Sequence, residues 1–150
     1  MVRLGIGLYG IDPNNIVQQH LKVVSSLKTT ISQIKEVKKG ESIGYGRAGV
    51  AKQDLRTATI AIGYADGFDR RLSNGVGKVW VNGQFAPVIG KVCMDMTMID
   101  VTGIAIKAGD EVELFGENLP ISQLAKWLDT ISYEVFTSVN ERVKRLYFEG

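Results

Sequence analysis

The amino-acid sequence predicts a mainly β protein, an antiparallel β-barrel-like domain with one or two short helices. Three observations support this class: runs that mix β-branched with polar residues, an Asn-Gly pair between two apolar runs, and helical spacing confined to two short segments. About eight strands are predicted in all. A closed or nearly closed barrel is favoured because closure removes the exposed edges that so many short strands would otherwise leave.

The N-terminal segment is predicted to be a short strand followed by a short helix. Apolar residues alternate with glycine in Arg3–Gly10, which is typical of a strand that lies close to another backbone. Turn-forming residues follow at 11–15. From Asn15 to about Val24, apolar residues recur at intervals of three and four, which predicts a helix. The sequence then becomes β in character.

Two strands are predicted in the next part of the chain. Leu27–Val37 mixes β-branched and polar residues over a length that suits one long, half-buried strand. Thr57–Ile62 alternates β-branched residues with alanine and leads into an Asp-Gly turn at 66–67, so it is expected to be a second strand.

A hairpin and two further strands follow. Lys78–Gly90 contains Asn82-Gly83, the pair best able to take positive φ at both central positions of a two-residue turn. Lys91–Val101 is expected to be a strand, and Asp110–Gly116 is another because acidic and apolar residues alternate in it.

The C-terminal part is predicted to contain one helix and the last two strands. Pro120–Leu128 has apolar residues at helical spacing, with Ser122 as the expected N-cap. Strands are expected around Tyr133–Val139 and Val143–Phe148.

Composition limits the classes of function. The chain has 150 residues, enough for one domain with a working core, and its 45% hydrophobic and 23% charged residues are the balance of an ordinary soluble protein. The net charge is only +2 and the basic residues are spread along the sequence. A nucleic-acid-binding surface is therefore not expected, because it would need clustered basic residues.

Cysteine and histidine are too few for a disulfide or a zinc site. The sequence has one cysteine, Cys93, and one histidine, so no metal site is expected. Cys93 is interpreted as a small apolar core residue rather than a nucleophile. The sequence has no long apolar run and no signal-peptide pattern, so we expect a cytoplasmic protein without a membrane segment.

Two Gly-Tyr motifs are candidate functional elements. In Gly44-Tyr45-Gly46 a phenol stands between two residues that lack a Cβ, so another chain or a ligand can approach closely. Such a tyrosine is expected to be displayed rather than packed. The second motif, Gly63–Gly67, follows the predicted strand directly.

Five motifs stand in one order along the chain and together carry a family resemblance. They are Val2–Ile6 with Tyr9-Gly10, Gly44–Gly46, Gly63–Gly67, Cys93–Met96 (Cys-Met-Asp-Met) and Ile131–Val135 (Ile-Ser-Tyr-Glu-Val). In this order and approximate spacing they resemble the C-terminal part of bacterial alanine racemases, which depend on pyridoxal 5'-phosphate (PLP). The resemblance spans nearly the whole chain.

This resemblance implies a domain division and an activity. Residues 1–24 resemble the last strand and helix of the PLP-binding (β/α)8 barrel, and residues 25–150 resemble the β domain. The implied enzyme is a cytoplasmic homodimeric isomerase that interconverts L- and D-alanine for peptidoglycan synthesis by two-base proton transfer. The lysine that attaches the cofactor belongs to the family's N-terminal barrel, so this chain alone is expected neither to racemise nor to keep PLP.

The resemblance also implies a set of cofactor-binding residues. Arg3 resembles the arginine that donates a hydrogen bond to the pyridine nitrogen of PLP. A guanidinium has no acceptor, so it would keep that nitrogen unprotonated and suppress transamination. Gly5 and Ile6 resemble the residues whose backbone N–H groups approach the phosphate, and Tyr133 resembles the tyrosine whose hydroxyl completes that site.

The remaining implied site residues act on the substrate. Tyr45 resembles the tyrosine that exchanges a proton with one face of the substrate α-carbon, at the cofactor of the partner subunit. Met94 resembles a residue whose backbone N–H meets the substrate carboxylate. Tyr64 and Asp95 resemble residues at the mouth of the access channel.

Alternatives remain open at this point. The chain could be a non-catalytic β-barrel domain that binds a ligand or partner, or part of a related racemase that acts on serine or another amino acid. A decarboxylase of the same fold type is disfavoured because Arg3 is the wrong partner for a pyridine nitrogen that must be protonated. Phe136 and Lys144 depart from the family pattern, in which prolines are common at both positions.

Overall fold

The antiparallel sheet is built on one long strand that pairs on both sides. The structure is a computed structural model and describes residues 1, 5–47 and 49–148. Its strands are β1 (Leu27–Val37), β2 (Ser42–Ile43), β3 (Gly49–Val50), β4 (Leu55–Ile60), β5 (Lys78–Val81), β6 (Gln84–Pro87), β7 (Thr97–Asp100) and β8 (Glu111–Phe115). Its α-helices are α1 (Ile121–Trp127) and α2 (Ser132–Ser138). Neither these nor the 3-10 turns in the described ranges combine the length and hydropathy of a membrane span.

Six of the strands form one sheet in the order β6-β5-β8-β1-β4-β7, and every pair is antiparallel. The first part of β1 pairs with β8 and the rest pairs with β4. An additional bridge joins Val88, just after β6, to Ile99 in β7. This bridge connects the two edges of the sheet, so the predicted mainly β, nearly closed antiparallel barrel is confirmed.

The core lies inside this sheet and is covered by the two α-helices. Its most buried members come from alternate positions of several strands, as the period of two in a strand requires. Examples are Val79, Val81, Ile99, Val112 and Leu114, none more than 1% exposed. A smaller cluster of Val37, Ile43, Ala51 and Leu55 packs beneath the β2–β3 ribbon. The ribbon therefore stands on apolar packing of its own.

The strands with strong local signals are those that the sequence predicts best. β1 has the predicted bounds, β8 lies inside its predicted range, and β4 begins and ends two residues earlier than expected. In the hairpin of β5 and β6, Val81 pairs with Gln84, and Asn82 and Gly83 take φ values of 43° and 80°. The Asn-Gly hairpin is therefore confirmed, with the positive φ at both central residues that a tight turn between twisted strands requires.

The predictions for the N-terminal segment are wrong where the structure describes it. A 3-10 turn at Ile6–Tyr9 takes the place of the expected strand, and only Gln18–His20 is helical, again as a 3-10 turn. The Asp12 carboxylate explains the second difference, because it accepts the N–H groups of Asn14 and Val17 and stabilises a side-chain-capped turn. The hydrogen bond from Val17 lowers the pKa of the Asp12 carboxyl.

The last two predicted strands are also wrong. Tyr133–Val139 is almost entirely the helix α2, and 143–148 has no regular structure. The β-branched residues of α2 suggested a strand, but from a helix Val135 reaches the core and is only 5% exposed. Tertiary packing of this kind overrides weak local propensity. At the helix start, the Thr130 hydroxyl donates to the Glu134 carboxylate.

Two further predictions need correction. The strand expected across Lys91–Val101 is limited to β7, because residues 91–96 form an irregular segment in which the Cys93 N–H bonds the Met96 carbonyl at 3.0 Å. Helix α1 lies within its predicted range, but Pro120 rather than Ser122 precedes it as the N-cap residue.

The sheet core should carry most of the stability of the chain. We expect Leu114→Ala to lower the free energy of unfolding by about 2–5 kcal/mol, because it removes a fully buried side chain from β8 and leaves a cavity. Urea denaturation of the chain followed by circular dichroism measures this change. Leu146→Ala is the matched control, since Leu146 is 64% exposed. Similar destabilisation by both variants would contradict the described core.

Candidate functional site

The first Gly-Tyr motif forms the tip of the two-stranded ribbon. Strands β2 and β3 pair through Ser42 with Val50 and Ile43 with Gly49, and Tyr45 lies in the turn between them. Gly44 and Gly46 take φ values of 77° and 68°, a region in which residues with a Cβ are strained. Tyr45 is 79% exposed. The display of this phenol is therefore confirmed, and its catalytic role stays a prediction.

The tip of the ribbon lies against the segment that carries Met94. A Cβ on Gly44 would lie 2.8 Å from the terminal methyl of Met98 and 3.9 Å from the backbone nitrogen of Lys91. Lys91 and Met98 stand on either side of the Cys93–Met96 turn in the chain. The ribbon tip therefore lies next to both ends of the segment that carries Met94.

The second Gly-Tyr motif packs directly on the Met94 turn. The N–H of Tyr64 bonds the Cys93 carbonyl at 2.9 Å, and the N–H of Ala65 bonds the Met94 carbonyl at 3.1 Å. A Cβ on Gly63 would overlap both of these carbonyl groups, so only glycine allows so close an approach. Tyr64 and Met94 are 44% and 53% exposed. The structure thus brings together two of the predicted substrate-side residues.

A side chain near the C-terminus contacts both of these turns. Arg142 donates from Nε to Asp66 and from Nη2 to Asp95, each at 2.7 Å. The pKa of the Arg142 guanidinium is raised, mainly by its hydrogen bond to Asp66. Sequence reasoning missed Arg142, because an arginine in a basic C-terminal segment has no local signal that points to these partners.

The predicted phosphate-binding residues Ile6 and Tyr133 meet where the N-terminal segment contacts helix α2. The Ile6 N–H donates to the Tyr133 hydroxyl at 2.6 Å. A Cβ on Gly5 would overlap that hydroxyl, so any other residue there would force the Tyr133 side chain to shift. Ile6 and Tyr133 line a groove of about 760 Å³ between the N-terminal segment and helices α1 and α2. Arg3 lies outside the described residues.

Helix α2 is held in this position by aromatic packing. The Phe136 ring lies 5.0 Å from the Tyr9 ring and 5.7 Å from the Phe115 ring, measured between centroids. These contacts join the N-terminal 3-10 turn, α2 and strand β8. Phe136 therefore fixes the helix that carries Tyr133.

The described residues offer no set of metal ligands. Within 5–47 and 49–148, no three His, Cys, Asp or Glu side chains are grouped to hold a metal ion. Cys93 is half-buried rather than buried, and its thiol lies 3.6 Å from the Lys91 carbonyl. The candidate site instead presents phenols, backbone N–H groups, carboxylates and the Arg142 guanidinium.

Comparison with known proteins decides the family. The family model described as "Alanine racemase, C-terminal domain" matches residues 24–147. The chain belongs to this family. Two curated alanine racemases, "Alanine racemase 2" of Caldanaerobacter subterraneus and the enzyme of Clostridium novyi, are 46% and 44% identical to it over 98% and 99% of its length. It spans only 39% and 41% of those two proteins.

Solved alanine racemase structures share the fold. The enzyme of Bartonella henselae, crystallised with covalently bound pyridoxal phosphate, is 37% identical with a TM-score of 0.90, over 96% of this chain and 40% of that one. The enzyme of Clostridium difficile 630 in complex with cycloserine is 40% identical with a TM-score of 0.85, over 93% of this chain and 38% of that one. Both matches include most of the N-terminal segment as well as the alanine racemase C-terminal domain.

Alanine at position 5 should displace the Tyr133 hydroxyl, because the added Cβ would overlap it. We expect Gly5→Ala to speed hydrogen exchange of the Ile6 amide roughly fivefold to tenfold. This factor corresponds to the loss of one hydrogen bond, which contributes about 1 kcal/mol. Amide exchange measured by NMR tests this. Gly7→Ala is the matched control, since none of the described atoms lies within 4 Å of a Cβ at that position. Equal exchange of the Ile6 amide in both variants would refute the contact.

Proposed function

We propose that the chain is the C-terminal part of a PLP-dependent alanine racemase, a cytoplasmic homodimer that interconverts L- and D-alanine for peptidoglycan synthesis. Tyr45 is one of its two proton-transfer residues and acts at the cofactor of the partner subunit. The observation that carries this proposal is the exposure of Tyr45 on a glycine-flanked turn against the Met94 segment. The curated relatives of Caldanaerobacter subterraneus and Clostridium novyi, both named alanine racemases, support it.

The chemistry of Tyr45 is general acid and base catalysis. A phenol can give a proton from its hydroxyl oxygen or take one up there, which an aliphatic or phenylalanine side chain cannot. In this proposal the hydroxyl exchanges that proton with the substrate α-carbon on one face. Because the Tyr45 side chain is 79% exposed, its hydroxyl can reach a cofactor that is bound outside its own domain.

Met94 is suited to orient the substrate through its backbone. The Ala65 N–H holds the Met94 carbonyl, and no acceptor for the Met94 N–H occurs among the described residues. A carboxylate is the strongest acceptor that a substrate amino acid offers to such a donor. Tyr64 and Asp95 lie on the same pair of turns, which supports their assignment to the mouth of the access channel.

The phosphate of PLP fits the contact between Gly5, Ile6 and Tyr133. A phosphate needs hydrogen-bond donors and close backbone approach, and this contact supplies a phenol O–H and a glycine with no Cβ. The Ile6 N–H, which donates to the Tyr133 oxygen in this structure, becomes a second donor when it turns from that oxygen to the phosphate. Arg3 would hold the pyridine nitrogen, as the family resemblance implies. When bound, PLP withdraws electrons from the substrate α-carbon and makes its proton acidic.

This proposal assigns each part of the chain, and the cofactor-attaching lysine, to one of the two domains of the full-length enzyme. Residues 1–24 are assigned to the end of the (β/α)8 barrel and residues 25–150 to the β domain. The lysine that attaches the cofactor and serves the opposite face of the substrate is assigned to the barrel. The chain alone is therefore expected neither to hold PLP nor to racemise alanine.

The proton-transfer role is tested with Tyr45→Phe in the full-length enzyme. We expect kcat/KM to fall by about 10²–10⁴-fold, because the phenol hydroxyl is lost while the turn keeps its shape. The fall must be equal in the two directions, since the L and D forms of alanine are equally stable. Exchange of the α-hydrogen with solvent deuterium should differ between the enantiomers: it should persist for one and stop for the other, because Tyr45 serves only one face of the α-carbon.

Tyr147→Phe is the matched control because Tyr147 is 88% exposed and has no place in the proposed site. It should leave both rates unchanged. Wild-type racemisation by the Tyr45→Phe enzyme, or exchange that falls equally for both enantiomers, would overturn the assignment.

A further inference from the structure

One guanidinium joins the two turns that carry Tyr64 and Met94. Nε of Arg142 donates to Oδ1 of Asp66 at 2.7 Å, and Nη2 donates to Oδ1 of Asp95 at 2.7 Å. Asp66 belongs to the Gly63–Gly67 turn, whereas Asp95 belongs to the Cys93–Met96 turn. The planar fork of an arginine can hold two carboxylates at fixed directions, which the ammonium of a lysine cannot.

The two halves of this link differ in strength. The side chain of Asp66 is 17% exposed and that of Asp95 is 58% exposed, so water screens the second pair much more. Asp66 is also tied to its own turn, because its Oδ2 accepts the Gly63 N–H at 2.9 Å. The Asp66 half is therefore the anchor, and the Asp95 half extends from it to the Met94 turn.

The segment that carries Arg142 is itself fixed to the Asp66 turn. The Asn140 N–H bonds the Asp66 carbonyl at 3.2 Å, and the Ser138 hydroxyl lies 3.4 Å from the Gly67 carbonyl. A Cβ on Gly67 would lie 2.5 Å from the Ser138 carbonyl oxygen. The backbone just before Arg142 is thus already fixed against the Gly63–Gly67 turn. This reduces the entropy that is lost when the Arg142 side chain is ordered.

We propose that Arg142 is a positioning residue of the racemase site. It contacts no substrate and holds the Tyr64 turn and the Met94–Asp95 turn at a fixed separation, so that the Met94 N–H faces the substrate carboxylate. Its catalytic consequence rests on the proposed function. Without Arg142 the two turns separate more freely, so substrate binding weakens while the proton transfer by Tyr45 is largely retained.

The test compares Arg142→Gln, Arg142→Lys and Arg145→Gln in the full-length, PLP-loaded enzyme. Arg145 is the matched control because it lies in the same segment and, among the described residues, donates only to backbone carbonyls, those of Val139, Asn140 and Val143. Hydrogen exchange followed by mass spectrometry is measured for 63–67 and 93–96, together with KM and kcat for alanine.

For Arg142→Gln we expect exchange to accelerate about threefold to tenfold in both turns, the range for two ion pairs partly open to water. KM should rise by a similar factor while kcat stays within about twofold. Arg142→Lys should restore protection of 63–67 only, because one ammonium can serve the shielded Asp66 but not both carboxylates. Arg145→Gln should change neither turn.

Unchanged exchange in both turns, or an equal change with Arg145→Gln, would overturn the proposal. Faster exchange with an unchanged KM in an active enzyme would overturn it as well. An inactive wild-type enzyme would refute the proposed function instead, and the exchange measurement would then decide by itself whether Arg142 joins the turns. In the double variant Arg142→Gln/Asp95→Asn, hydrogen exchange of 93–96 should be no faster than in Arg142→Gln alone, because both changes remove the same bond between Arg142 and Asp95.

Discussion

The close approach of Gly63 to the Cys93 and Met94 carbonyls is the contact on which the candidate site depends. It lies where β4 and β7 end their pairing, at Ile60 and Thr97, and the two chains continue as turns instead of strands. The Thr97 hydroxyl donates to the Ile62 carbonyl at 2.8 Å in the buried space between them. Since any side chain at Gly63 would push the turns apart, the arrangement of Tyr64 and Met94 follows from the absence of one Cβ.

The barrel supplies the rigid base for this contact. Pairing of β1 on both sides, together with the bridge between Val88 and Ile99, fixes the ends of β4 and β7 relative to each other. The ribbon of β2 and β3 packs on a separate apolar cluster and holds the Tyr45 turn next to Lys91 and Met98. The exposed Tyr45 side chain is thus held on a turn between two regular strands, the usual way in which loops gain precision from a scaffold.

Much of this could be predicted from the sequence where the signal is local. The alternation in Leu27–Val37, the Asn82-Gly83 pair and the glycines beside Tyr45 each determine structure within a few residues. Helix α2 could not be predicted, because packing against the core outweighs its β-branched residues. The link made by Arg142 crosses 76 residues to Asp66 and 47 to Asp95, and the Ile6–Tyr133 bond crosses 127. The grouping of Gly5, Ile6 and Tyr133 was predicted from the family resemblance alone, and it is the fold that brings Ile6 and Tyr133 into contact.

The central claim is that Tyr45 serves a cofactor bound by another subunit, and subunit complementation tests it most directly. A full-length Tyr45→Phe enzyme is mixed, through reversible dissociation, with a full-length variant in which alanine replaces the cofactor-attaching lysine of the barrel. If Tyr45 acts across the dimer, each mixed dimer has one intact site, and a random mixture should recover about a quarter of the wild-type activity. If Tyr45 acts within its own subunit, no mixed dimer has an intact site, and activity no higher than that of the two parents would contradict the account.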